Sequence, residues 1–338
     1  MSAAWLAAAG VTWLALPLAF ALDLAFGEPR SALHPVAWLG QLLTPIGRVL
    51  RERTPAIACI GGALAWLALA AALGTGAWAL QVVLREVSPW LGVPLLALLL
   101  KPTFAWRMLR DEVRAVDAAL AQGLTPGRAQ LARIVSRDVT VLDADAVRET
   151  AIESLAENLN DSLVAPLFWF AVAGLPGAVV YRLANTLDAM WGYRGRWEWA
   201  GKFSAHADDA LSWLPARLTA LLLRPAWRWH SWARLRGEAC RTPSPNGGWP
   251  MGAMALRLGV RLRKPGVYTL NATAPSPASA DIARALRIAS GAAWAAVGLM
   301  TLATLTPLAT PATLALFATQ ATLASLATPF LVFLSGLQ

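Results

Sequence analysis

Residues 56–84 read AIACIGGALAWLALAAALGTGAWALQVVL, a run without one charged side chain. An α-helix needs about 20 apolar residues to cross the hydrocarbon core of a bilayer, so this stretch predicts a membrane-spanning helix. Residues 3–22 form a second such run, uncharged until Asp23 and with no basic segment ahead of it that would mark a signal peptide. Two more, 288–306 and 312–334, are punctuated by Pro307 and Pro311. Residues 89–100 are apolar but too short to span alone, and read as re-entrant or buried against other helices.

Two further apolar segments are irregular. Residues 163–181 contain Pro166, Gly174 and Pro176, and residues 211–223 contain Arg217. At least one is expected to be a broken or re-entrant helix lining a site, because irregular backbone is tolerated at membrane depth only where it lines a cavity. Residues 101–162 change character: charges are frequent and apolar positions such as Val147, Ala151, Leu155 and Leu159 recur at helical spacing, which predicts a water-facing helical region.

The composition agrees. Hydrophobic residues make up 57% of the 338 and charged residues 14%, where soluble domains have about 45–50% and about 25%. The expected fold is all-α: a polytopic integral membrane protein with about four to six membrane helices. One membrane domain is expected over 1–338, with N-terminal membrane helices in 1–100, the polar helical region in 101–162, a motif-rich region in 163–270 and C-terminal membrane helices in 271–338. The stretch 273–279, rich in Pro, Ser and Thr, reads as a linker.

Several classes of function drop out. Cys59 and Cys240 give no disulfide framework, and with three histidines they leave few ligands for structural zinc. Lys101, Lys202 and Lys264 are the only lysines, and none sits in a G-x-x-x-x-G-K-[ST] loop. The net charge is +9, and residues 224–287 carry eleven Lys/Arg against Glu238 and Asp281. Between apolar spans such a tract reads as a loop retained on the cytoplasmic side rather than a nucleic-acid surface.

The residues that can carry chemistry are concentrated in the middle of the chain. Glu149, Glu153, Glu157 and Asp161 recur every fourth position, and like charges at that spacing repel by roughly 0.2–0.5 kcal/mol per pair. The row needs compensation, either from Arg133, Arg137 or Arg148, or from Mg²⁺, a hard cation that takes carboxylate and phosphate oxygens together. Glu157, Asn158, Asn160 and Asp161 run straight into the apolar segment, where polar side chains are costly unless satisfied. Asn185 and Asp188 end the next apolar run; Asp188 either pairs with Arg182 or Arg194 or serves a site. Lys202, Asp208 and Asp209 follow, the aspartates being either caps of a helix starting near Leu211 or site residues. Arg217, in an apolar setting, must snorkel, pair or bind an anion. The segment Ser244-Pro-Asn-Gly-Gly-Trp-Pro250, with Asn246 at its centre, is a tight turn that can aim backbone N–H groups at an anion.

Taken in order, these segments resemble the CobD/CbiB family of adenosylcobinamide-phosphate synthases. Asp23-Leu-Ala-Phe-Gly-Glu-Pro29 with His34-Pro35 resembles its opening motif, and Ser136-Arg137-Asp138 its Arg-Asp element. Glu153-Ser-Leu-Ala-Glu-Asn158 with Asp161 and Ala165-Pro-Leu-Phe168 resembles its most distinctive block. Asn185-Thr-Leu-Asp188, Met190, Gly192-Tyr193, Asp208-Asp209, Trp213, Pro215-Ala-Arg217, the 244–250 segment and Leu258-Gly-Val260 complete the series. The sequence departs at Leu159-Asn160, at Ser162 where glycine is expected, and around Trp197-Glu198-Trp199.

The resemblance implies an ATP-dependent ligase that joins adenosylcobyric acid to (R)-1-amino-2-propanol O-2-phosphate, or a related amino-alcohol phosphate, through an amide. ATP and Mg²⁺ are implied with it. Glu153, Glu157 and Asp161 would hold Mg²⁺-nucleotide or order the amine; Arg137, Lys202 and Arg217 would bind phosphates. Asp188 or Asp208 would take the ammonium proton, and Asn158, Asn185, Asp209 and Asn246 would complete the substrate-binding set. The implied setting is the bacterial inner membrane with the active site facing the cytoplasm, the lipid bilayer as partner and other cobalamin-assembly enzymes nearby. A membrane regulator or sensor of the same superfamily and a corrinoid transporter are the alternatives; a transporter would be expected to show inverted repeats, and none is visible in the sequence.

Overall fold

Proline opens three of the first four helices. The computed structural model describes residues 3–193, 195–223 and 232–305, with side chains from Val11 onward. After α1 (Ala3–Phe26), helices α2 (Pro35–Leu50), α3 (Pro55–Glu86) and α4 (Pro89–Leu100) each carry proline at the first position, where the missing N–H is an orphan in any case. His34 caps α2, its Nδ1 accepting from Val36 N–H at 3.1 Å. Then follow α5 (Trp106–Gln122), α6 (Leu124–Leu131), α7 (Ala144–Leu159), a π-helical turn over Asn160–Val164, and α8 (Ala165–Trp191). The chain continues through α9 (Glu198–Leu223), α10 (Trp232–Ala239), α11 (Gly248–Leu258), strands β1 (Leu262–Lys264) and β2 (Tyr268–Leu270), and α12 (Ser279–Ala303).

By length and composition, four of the described helical stretches can cross a membrane: Pro55–Glu86, Pro89–Gln122, Ala144–Trp191 and Ser279–Ala303. Val11–Phe26 is a shorter apolar helix. The protein is therefore a multi-pass membrane protein of all-α class, as the sequence predicts. The expected span at 312–334 and the candidate partner Arg194 lie outside the described residues.

The chain divides into two compact units, Met1–Phe104 with Ala165–Leu211 and Val297–Gln338, and Ala105–Val164 with Ser212–Ala296. In the first unit α4 packs on α1, burying Leu96, Ala97 and Leu100 on one side, while Trp90, Leu91 and Leu98 on the other are exposed; the run at 89–100 continues into α5 as one stretch long enough to span. α3 packs on α8. α8 is interrupted at Gly174, which has φ 69° and ψ −158°, a conformation essentially confined to glycine. The break frees Leu175 N–H, and the buried Gln81 Oε1 accepts it at 2.5 Å. The expectation of a broken helix in 163–181 is met at this residue.

In the second unit α5 is amphipathic, with Trp106, Leu109, Val113, Val116 and Leu120 buried. α7 corrects the picture of a water-facing region: Ala146, Val147 and every residue from Glu149 to Ala156 are buried. A helix with this many acids can be buried because arginines elsewhere in the unit come to it. The hairpin β1–β2 is the small exception to an all-helical reading. Its strands pair Leu262 with Leu270 and Lys264 with Tyr268, and Pro265-Gly266 turn between them with Gly266 at φ 71°, the glycine conformation of a type II turn. The 273–279 stretch is not a loose linker either: Arg261 N–H donates to Pro275 O at 2.8 Å and Arg261 Nη2 to Ser276 Oγ at 2.7 Å.

Candidate functional site

In the second unit the acid row of α7 is shared out among specific partners. Glu149, with no exposed surface, accepts from Arg261 Nε at 3.1 Å and Arg263 Nε at 3.2 Å. Glu153, 1% exposed, accepts on Oε2 from Arg137 Nη1 at 3.1 Å; the same nitrogen reaches Thr150 Oγ1 at 3.2 Å. Of the three arginines named for this role from sequence, Arg137 takes it. Arg133 goes to Glu112 at 2.7 Å and Arg148 to Asp145 at 3.2 Å. Glu153 Oε1 is buried and has no hydrogen bond among the described residues. The phenol of Tyr268, on β2, lies beside this carboxylate and near Glu157. Burial, then the two carboxylates, hold the phenol well above its usual range, so it stays a protonated donor.

Glu157 faces the 244–250 turn. A methyl group added at Gly247 would lie 2.8 Å from Glu157 Oε1. Two N–H groups of this turn are used within it: those of Asn246 and Gly247 both donate to Ser244 Oγ, at 3.2 and 3.1 Å. Asn158 turns back along its helix, Nδ2 donating to Ser154 O at 3.0 Å. At the π-helical turn the regular fourfold spacing of the acids ends. Asp161 Oδ1 accepts from Asn160 Nδ2 at 2.8 Å, and Asn160 Oδ1 accepts from Thr219 Oγ1 at 3.0 Å. Such turns are frequent at functional sites. Glu153, Glu157 and Asp161 do not close into a metal cage, and among the described residues no three His, Cys, Asp or Glu side chains converge to hold a metal by themselves.

Among the described residues Arg217 pairs with no acid. Its Nη1 donates to Trp213 O at 2.6 Å and Asn246 Oδ1 at 2.9 Å, and its Nη2 to Pro245 O at 3.2 Å. Trp213 and Trp249 cover it, their ring centroids 4.3 and 4.8 Å from the guanidinium carbon. Two of these bonds, to Asn246 and Pro245, thus fasten the 244–250 turn to α9.

The first unit holds the other predicted residues. Asp208 and Asp209 are not caps, because α9 begins at Glu198 and both lie well inside it. Gly201 permits that early start: any side chain there would meet Trp191 O within 1.8 Å. Asp209 is half-buried, and burial followed by the neighbouring Asp188 charge pushes its carboxyl up to about 6. Asn185 stands on α8 one turn before Asp188, and a methyl at Gly192 would strike Asp188 Oδ1 at 2.1 Å. Lys202 lies over the Trp199 ring, 4.5 Å from its centroid. His206, one turn further, is pushed down by burial and by Lys202.

Two groups escaped the sequence reading. Tyr268 sits on a strand of three residues, too short for alternation to reveal it. Lys101 is buried and joins the opening motif: its ammonium pairs with Asp23 at 3.1 Å and with Glu28, whose other oxygen meets His34 Nε2 at 2.6 Å. Burial alone would raise the Glu28 carboxyl, but His34 and Lys101 hold it below its ordinary value. Nothing local to Lys101 in the sequence marked it as the partner of the opening motif.

Spanning helices and a charged interior define the class, a multi-pass membrane protein that keeps ionised side chains within its helical units. A model of the CobD/Cbib protein family matches residues 16–293. A probable cobalamin biosynthesis protein CobD of Thermococcus kodakarensis is 42% identical over 297 residues, covering 85% of this chain and 95% of that relative. A cobalamin biosynthesis protein CobD of Rhodobacter capsulatus is 41% identical over 294 residues, 80% of this chain and 90% of the relative. The CbiB protein of Salmonella typhimurium is 34% identical over 268 residues, 76% and 84% of the two chains. No solved structure matches the chain. The chain belongs to the CobD/CbiB family.

Proposed function

We propose that this protein acts in cobalamin biosynthesis as the ATP-dependent synthase that joins adenosylcobyric acid to (R)-1-amino-2-propanol O-2-phosphate or a related amino-alcohol phosphate. Family membership supports the pathway. The observation that carries the site assignment is that two motif blocks distant in sequence, the acid row of α7 and the 244–250 turn, meet at Glu157 and Gly247.

An amide cannot form from a carboxylate without a leaving group better than oxide. In the proposed route a carboxylate oxygen of the corrinoid attacks the γ-phosphorus of ATP and ADP departs. The amine nitrogen then attacks the acyl carbon, phosphate leaves, and a base takes the proton. Such phosphoryl transfer is mostly positioning and charge neutralisation. Mg²⁺ usually binds through one or two carboxylates together with substrate phosphates. Glu157 and Asp161 have that donor chemistry, whereas Glu153 is committed to Arg137. The ion would supply neutralisation of the phosphate charge. Arg217 and Asn246 act by fixing the turn against which Glu157 is held. The attacking nitrogen must be neutral, so its proton must pass to a base before it attacks. Because ATP is cytosolic, the acid row is assigned to the cytoplasmic side.

The test is direct. Purified protein in lipid nanodiscs is given adenosylcobyric acid, the aminopropanol phosphate and Mg-ATP, and the corrinoid is followed by mass. The expected product is the sum of both substrates less one water, with ADP released. No amidated corrinoid with any amino-alcohol phosphate, from folded protein, would overturn the proposal.

A further inference from the structure

Tyr268 is a residue that no sequence motif singled out, yet the hairpin brings it to the acid row. Its O–H meets Met251 Sδ at 3.6 Å, while the carboxylate of Glu153 beside it keeps one buried oxygen without a hydrogen bond among the described residues. Glu157 is the next acid along the helix, and its charge is felt at the phenol. A buried carboxylate oxygen left without a donor is costly, and the phenol is a donor within the same pocket.

We infer that Tyr268 is a positioning residue of this site, its phenol O–H serving the Glu153–Glu157 pair and holding Glu157 against Gly247. This rests on the reading of the acid row as the synthase centre. The phenol oxygen lies 3.6 Å from Met251 Sδ and also within reach of Glu153, and rotation about the C–O bond selects between them. Arg137 fixes Glu153 from the other side, so the phenol completes a frame around the acid pair.

The test compares wild type, Tyr268→Phe and Met251→Leu in nanodiscs. Removal of an outer group that orients a ligand-binding carboxylate typically costs about 10–100-fold in activity or ion affinity. Tyr268→Phe is therefore expected to lower kcat by that factor with KM for the corrinoid nearly unchanged. It is also expected to lose most of the rise in thermal midpoint that Mg-ADP gives the protein without corrinoid, while the unliganded midpoint stays put. Met251→Leu is expected to behave as wild type in all three readings. Full kcat and a full Mg-ADP shift in Tyr268→Phe would overturn the inference. So would the same losses in Met251→Leu, or a collapsed unliganded midpoint in Tyr268→Phe, because each makes the role structural. A wild type that makes no amide but shows a Tyr268-dependent Mg-ADP shift would sink the synthase reading and leave the positioning role standing.

Discussion

Gly247→Ala separates catalysis from folding at a single methyl group. Gly247 has φ −57° and ψ −31°, a conformation alanine adopts freely, so the backbone loses nothing. Gly→Ala at such a site commonly stabilises by about 0.4–1 kcal/mol. The new Cβ would stand 2.8 Å from Glu157 Oε1 and 3.4 Å from Met251 Cε. Non-bonded contacts settle near 3.5 Å, so the carboxylate must retreat by roughly 0.7 Å. Both neighbours are ends of flexible side chains, so the shift costs little stability. Displacements of about 1 Å at a reacting centre cost about 100-fold in rate, and a loss of about 10–100-fold in kcat is expected here. Gly248→Ala is the contrast: its methyl would meet the backbone carbonyl of Ala239 at 2.3 Å, which cannot swing away. That variant should lose thermal stability first. Amide formation by mass and thermal midpoints in nanodiscs give both readings. Wild-type turnover in Gly247→Ala, or a midpoint loss as large as that of Gly248→Ala, would refute the reasoning.

Arg137→Leu strands the buried Glu153 and should destabilise by about 3–5 kcal/mol, whereas Arg137→Leu with Glu153→Leu should recover much of that loss; thermal midpoints of the two variants decide it, and a double variant weaker than the single one would count against the pairing. Asp209, pushed up from 3.8 to about 6, binds more protons folded than unfolded between those values, so its contribution to stability is fully present below about pH 4 and lost as the pH rises through about 6. Asp209→Asn should flatten that slope, seen as midpoints measured across pH 4–7, and an unchanged slope would count against the raised carboxyl. Gly174→Ala forces a side chain into a glycine conformation, at about 1–3 kcal/mol, and onto Gln81, whose amide lies 2.5 Å from the added methyl; a midpoint equal to wild type would show that the break in α8 does not depend on it.

The membrane class was legible because lipid imposes it on composition: no soluble helix needs the uncharged run at 56–84. The break in α8 was legible for the same reason, since Gly174 and Pro176 inside an apolar run have few other uses. Glu149, Glu153 and Glu157 announced that cations must approach, but not which. Arg261, Arg263 and Tyr268 arrive on a hairpin with three residues per strand, below the length at which alternation becomes visible. For that reason α7 read as solvated when it is buried. A cap role for Asp208 and Asp209 stayed open in the sequence because the apolar run starts at Leu211; the helix in fact starts thirteen residues earlier, at Glu198, where Gly201 lets it pass the Trp191 backbone. The turn at 244–250 was visible, but not that the hydroxyl of Ser244 takes the N–H groups of Asn246 and Gly247.

The sharpest measurement follows one oxygen atom. Adenosylcobyric acid labelled with ¹⁸O in its free carboxylate is incubated with the protein, the aminopropanol phosphate and Mg-ATP, and the inorganic phosphate released is weighed by mass spectrometry. Activation by phosphoryl transfer predicts one ¹⁸O in each phosphate formed per amide. Unlabelled phosphate alongside amide product, or amide formed without ATP, would contradict the account.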